Sequence, residues 1–162
     1  MRSLVIAGFT ALFALSSFAD EKSDLGPNLK GAKVSLEKGI TASKAKGTPI
    51  SAKYEMEDGK LQLSVYTAKG DSFSEVIVDH KTGKVTKAEP ITSGDDLNAA
   101  RSQNEAMSKA KTSLGAAVAK AVGSNKGYRA VSALPSLKDG HPSADVTLMK
   151  GTESKVVTEK LD

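Results

Sequence analysis

Two histidines and a scatter of carboxylates are the side chains in this sequence whose types could do chemistry. Both histidines sit beside turns, in Asp79-His80-Lys81-Thr82-Gly83 and in Asp139-Gly140-His141-Pro142. A metal site needs several ligands converging in a defined geometry. Asp79 and His80 are neighbours on a strand end, where successive side chains point apart, so no metal site is expected. Nucleophilic catalysis has less to work with, since there is no Cys, no Gly-x-Ser-x-Gly elbow and no spare histidine flanked by an obvious orienting acid. Glu55, Glu57 and Asp58 could form an acid–base set, but Glu55 and Glu57 share the polar face of an amphipathic strand, where solvated carboxylates are expected. The glycines stand singly at element ends and build no phosphate cradle. These residues point away from an enzyme and away from any cofactor.

The elements that hold them belong to an exported chain. Arg2, the apolar run Leu4 to Leu15, and Ser17-Phe18-Ala19 before Asp20 read as a cleaved signal peptide over residues 1–19. The apolar run is shorter than the ~18–20 residues that a spanning helix needs, and no Cys follows it to carry a lipid. The location expected is therefore periplasmic or secreted, with no membrane contact after cleavage. The remaining 143 residues carry 22 basic against 19 acidic side chains, or +3. Lysines are interspersed with acids rather than gathered, which argues for a solvated mixed surface and against a nucleic-acid footprint. Without Cys no disulfide can staple the fold. Tyr54, Tyr66, Phe73 and Tyr128 are the aromatics left after the signal, so two thin cores are expected that must pack together.

Residues 20–32, with Gly26-Pro27, read as a flexible leader. Ser35 caps a short helix carrying Leu36 and Ile40, which stops at Gly47. Ile50 to Glu57 alternates as a half-buried strand, Asp58-Gly59 is a hairpin signal, and Leu61, Leu63 and Val65 line one face of the return strand. Lys69-Gly70-Asp71 turns the chain into Phe73–Val78, with a short further strand starting at Val85. The expected core of this half is Leu36, Ile40, Ala52, Tyr54, Leu63, Val65 and Ile77. The stripe Leu97, Ala100, Met107, Ala110, Leu114, Val118, Ala121 then fits one helix of about eight turns, whose first part, 92–112, acts as a connector. Beyond it the pattern repeats. Asp139-Gly140 and Gly151 follow Asp58-Gly59 and Gly70 by 81 residues, and Gly127 follows Gly47 by 80. Strands are expected at Tyr128–Leu134, Ser143–Met149 and Lys155–Glu159. The fold class is α+β: two tandem helix-plus-antiparallel-meander units, 33–91 and 113–162, joined by a long helix.

The turn that closes the first unit, Asp79-His80-Lys81-Thr82-Gly83-Lys84-Val85 after an apolar strand, resembles the signature of PepSY domains. The second unit departs from it, because Val156-Val157-Thr158-Glu159-Lys160-Leu161-Asp162 has no such turn. The resemblance implies a small helix-and-sheet module that regulates or inhibits a secreted or envelope peptidase without covalent chemistry. The alternative is a structural or assembly module of the cell envelope. Asp79, Thr82 and Gly83 each have a structural role in the turn: acceptor, hydroxyl partner and positive φ. Partner contacts are expected at the turns Asp58-Gly59 and Asp139-Gly140 and at Tyr66, with Tyr128 a second aromatic anchor.

Overall fold

Ser35 is extended, at φ −77° and ψ 160°, and its Oγ accepts from the Lys38 N–H at 3.3 Å, capping helix α1 (Leu36–Ser43). The helix tightens into a 3-10 turn, Lys44–Lys46, and stops at Gly47, φ 154°. A Cβ at Gly47 would stand 2.8 Å from the Ala68 carbonyl oxygen, so only glycine lets the chain pass there. The computed structural model describes residues 24–162; the expected signal and residues 20–23 of the leader lie outside the described residues. After Gly47 come strands β1 (Thr48–Glu57), β2 (Lys60–Lys69), β3 (Ser72–Val78) and β4 (Val85–Ile91). Helices α2 (Gly94–Lys109) and α3 (Leu114–Gly123) follow, then β5 (Arg129–Lys138), β6 (His141–Lys150) and β7 (Glu153–Lys160).

The seven strands form one antiparallel sheet in the order β4-β3-β2-β1-β5-β6-β7. The fold is α+β. Its seam is short: β1 meets β5 only at Ala52↔Ala133 and Lys53↔Ser132. Either side of the seam, a helix is followed by a meander with matching local geometry. Asp58-Gly59 (φ 48° and 72°) and Asp139-Gly140 (φ 52° and 80°) both have the paired positive φ of the type I′ turns that suit hairpin twist. Each first strand carries a bulge, with Ile50 and Val131 as the extra residues. Ser113 caps α3 as Ser35 caps α1, accepting from the Ala116 N–H at 3.2 Å. The His80 carbonyl accepts from the N–H groups of Lys33 and Val34, and the Leu161 carbonyl accepts in the same way from Lys111 and Thr112.

Alternation along β1 and β2 sorts the core. Ala52 and Tyr54 pair with Val65 and Leu63 and face α1 and α3, together with Val76, Val78, Leu114, Val118, Val146 and Leu148. The other face is not left to solvent. There α2 lays Ala100, Leu97 and Met107 on Ile50, Ala68 and Phe73, and Ser51 Oγ hydrogen-bonds Gln103 Oε1 at 2.7 Å. A third layer thus covers the face that alternation marks as exposed.

Four expectations are corrected. The leader is folded from residue 24: residues 24–28 are helical, and Leu25 and Leu29 are buried in the main core. Arg129 holds it there by donating to the carbonyls of Leu29 (3.0 Å), Ala32 (3.3 Å) and Val34 (3.1 Å). The long connecting helix is two helices. Ala110, at ψ 139°, leaves the helix because the Lys111 and Thr112 N–H groups go to Leu161 instead. Ile77 faces away from the main core; pairing of Leu63 with Val78 and of Val65 with Val76 turns the two valines inward. The strands of the second half are longer than expected, since the two-residue turn at Asp139-Gly140 lets pairing run from Lys138↔His141 back to Arg129↔Met149.

Gly39 sits where α1 touches the sheet. A Cβ there would lie 2.6 Å from Leu63 Cδ2 and 3.2 Å from its Cγ, and Leu63 is fully buried. Alanine is the better helix former by ~1 kcal/mol, yet overpacking costs ~1–3 kcal/mol. Gly39→Ala is therefore expected to lower the urea midpoint; an unchanged or higher midpoint would show that the helix can lift off the sheet freely.

Candidate functional site

The turn after β3 is closed by its own groups. Asp79 Oδ1 accepts from the N–H groups of Lys81 (2.9 Å) and Thr82 (2.7 Å). The Gly83 N–H donates to the Asp79 carbonyl at 2.8 Å, and the Asp79 N–H to the Lys84 carbonyl at 2.8 Å. Thr82 Oγ1 accepts from the Lys84 N–H at 3.4 Å, and Gly83 supplies φ 77°. The bonds from Thr82 first and Lys81 second hold the Asp79 carboxyl below the usual aspartate range. Since the His80 carbonyl also ties the turn to the residues before α1, each of Asp79, Thr82 and Gly83 is occupied in holding the chain.

The expected contact residues are not brought together. Because β1 and β5 are antiparallel, the hairpin at Asp58-Gly59 and the hairpin at Asp139-Gly140 leave opposite ends of the sheet. Tyr66 is not an exposed anchor: it lies mid-strand against the Ile50–Ala100 cluster, and its hydroxyl donates to Glu75 Oε1 at 3.4 Å. Tyr128 donates to the Glu153 carboxylate under the Lys155 ammonium, 4.2 Å from the ring centroid. His141 Nδ1 lies 3.0 Å from Asp162 Oδ2. Among the described residues no group of three or more His, Asp or Glu is placed to hold a metal ion.

The carboxylates expected in solvent lie partly under α2. Lys53 Nζ is 2.7 Å from Glu55 Oε2, and Glu55 Oε1 accepts from Ser64 Oγ at 2.8 Å. The Glu55 side chain is only 13% exposed. Burial raises the pKa of neighbouring Glu75, with the Glu55 charge adding to it, against bonds from Ser64 and Tyr66 and the Lys53 charge. Burial likewise raises Asp96, in the first turn of α2. A raised carboxyl in the folded state means that folding favours the protonated form, so stability falls as pH rises from the ordinary glutamate range through the folded value. Glu75→Gln is therefore expected to melt higher than wild type at neutral pH and to lose that advantage below about pH 4. A variant less stable at neutral pH would mean that Lys53 outweighs burial.

A third feature is an open groove of about 760 Å³ beside the bulged end of β1, lined by residues of α1, α2 and α3. Its apolar lining includes Ile40, Pro49, Met107 and Leu114, and its charged side chains are Lys44, Lys46, Lys69 and Lys111. Among the described residues no Asp or Glu lines it. The four lysines are exposed, and none is in an ion pair among the described residues. Lys44 and Lys46 end the α1 turn, Lys69 ends β2, and Lys111 sits in the break between α2 and α3. Ser113 satisfies the Ala116 N–H, and Leu114 and Gly115 of the first turn of α3 line the groove. A cationic rim over an apolar floor can seat an apolar group and pair an anion beside it.

Sequence reasoning missed these lysines because they lie up to 67 positions apart and look like solvated surface in one dimension. The one signal available was that all four fall at element ends or between elements rather than along an amphipathic face. No family model, no curated protein and no solved structure matches the chain.

Proposed function

We propose that this chain is a non-enzymatic exported binding module of PepSY type, built from two tandem copies of one helix-and-meander unit, which regulates or inhibits a secreted or envelope peptidase by non-covalent contact. The observation that carries the proposal is the groove of about 760 Å³ with four unpaired lysines, formed where elements of both halves meet. Support for the family reading comes from the Asp79–Gly83 turn and from the matched caps, bulges and turns at a spacing near 80 residues. The turn's own groups are consumed in holding it, which favours the groove over the turn as the contact surface.

A second reading, a structural or assembly module of the envelope, draws on one observation. Val156 on the edge strand β7 is 54% exposed, and an unpaired edge can accept another strand. An assay separates the two. The purified chain lacking residues 1–19 is added to the secreted and envelope fractions of the host, with hydrolysis of fluorescent casein as the readout. The regulatory reading expects a saturable fall in hydrolysis with the protein recovered uncut. Unchanged hydrolysis at every concentration, or cleavage of the added protein, defeats it.

A further inference from the structure

Resting on the reading of the groove as the contact surface, we propose that its occupant is an extended acidic segment of the partner, with carboxylates on the lysine rim and apolar side chains on the floor. Charge complementarity is the first argument. Lys44, Lys46, Lys69 and Lys111 bring four positive charges to one cavity with no carboxylate in its lining among the described residues, on a chain whose net charge without the signal is only +3. Three of the chain's acids are paired with lysines outside the groove: Glu55 with Lys53, Glu159 with Lys120, and Glu89 with Lys87. Like charges left together without internal partners are held apart only by solvent, and an anion relieves that repulsion.

The floor is the second argument. Met107, Ala110 and Ala45 give it accessible apolar surface beside the lysines, above the buried Ile40, Pro49 and Leu114. A bare inorganic anion has no use for such a floor, whereas alternating apolar and acidic side chains meet both parts. The α3 N-terminus adds to this, since its first residues, Leu114 and Gly115, line the groove and the positive end of a helix favours a carboxylate. The groove is open and of ligand-binding size.

The test uses a short fluorescein-labelled peptide of alternating leucine and glutamate, followed by fluorescence anisotropy on the folded chain. Its leucine–glutamine counterpart should bind at least about tenfold more weakly, since each lysine–carboxylate contact contributes only modestly alone. The variant Lys44→Gln, Lys46→Gln, Lys69→Gln, Lys111→Gln should lose about tenfold or more. A control with the same charge change, at Lys60, Lys81, Lys126 and Lys138, should bind almost as wild type. The single change Lys69→Glu serves should the fourfold variant not fold, and it too should weaken binding. The proposal is overturned if the groove variants bind as tightly as wild type, if the control loses as much as they do, or if the glutamine peptide binds equally. Displacement of the peptide by inorganic phosphate at matched charge concentration would also overturn it, since the site would then read charge alone. Casein hydrolysis distinguishes this failure from failure of the broader reading. Inhibition that survives the fourfold change sinks the groove and leaves the regulator, and peptide binding without inhibition does the reverse.

Discussion

Arg129→Met should destabilise the protein by about 2–4 kcal/mol, because the guanidinium donates to three carbonyls that no methionine can satisfy. Those carbonyls belong to Leu29, Ala32 and Val34, so this one side chain of the second half anchors the segment that leads into the first. The guanidinium also stacks 5.5 Å from the Tyr54 ring centroid, and the Tyr54 hydroxyl donates to the same Val34 carbonyl. Burial pushes the Tyr54 hydroxyl up to about 12, with Arg129 pulling the other way, so Tyr54 stays a neutral donor throughout the physiological range. Hydrogen exchange should show residues 24–34 losing protection before the sheet does. Arg129→Lys should recover only part of the loss, since an ammonium cannot reach three acceptors as a planar fork does. Unchanged stability in Arg129→Met would mean that the buried Leu25 and Leu29 hold the segment unaided.

Leu63→Ala should cost about 2–5 kcal/mol, the range for emptying a fully buried leucine site. Leu63 is fully buried, pairs with Tyr54 and Val78, and lies against Gly39 of α1, so neighbours cannot easily close the cavity. A domain of this kind has about 5–15 kcal/mol in all, so the variant should melt far below wild type. The loss should appear as a single transition in urea, because β1 and β5 make the two meanders one sheet and α1 packs beside α3 over a shared core. Two separate transitions, with the second half unaffected, would show that the seam at Ala52↔Ala133 does not couple the halves.

Much of the architecture is legible in the order of residues. Period-two alternation in Ile50–Glu57 and Leu61–Val65, with Asp-Gly between them, gives strand, turn and return with the correct inward face. Ser35 and Ser113 mark helix starts because the capping oxygen acts locally. What fails depends on distant partners. Phe73 to Val78 ends in three consecutive apolar residues, so its parity is set only by pairing with β2. The continuous apolar stripe from Leu97 to Ala121 is cut at residues 110–113 by bonds to Leu161, some fifty positions away. Lys53, Glu55 and Tyr66 look like solvent side chains until α2 folds over them. The groove lysines follow the same rule, since their convergence is a property of the fold and not of any segment.

Recognition proposed at the groove end of the sheet is read directly by amide chemical shifts. Isotope-labelled protein is titrated with the leucine–glutamate peptide while every backbone amide is followed. The expected shifts fall in three stretches that meet only in the folded protein: 44–49, 68–70 and 110–115. The turns at Asp58-Gly59 and Asp79–Gly83 leave the other end of the sheet and should stay still. Shifts confined to Asp79–Gly83 or to the β7 edge, with the three groove stretches unmoved, would contradict the account.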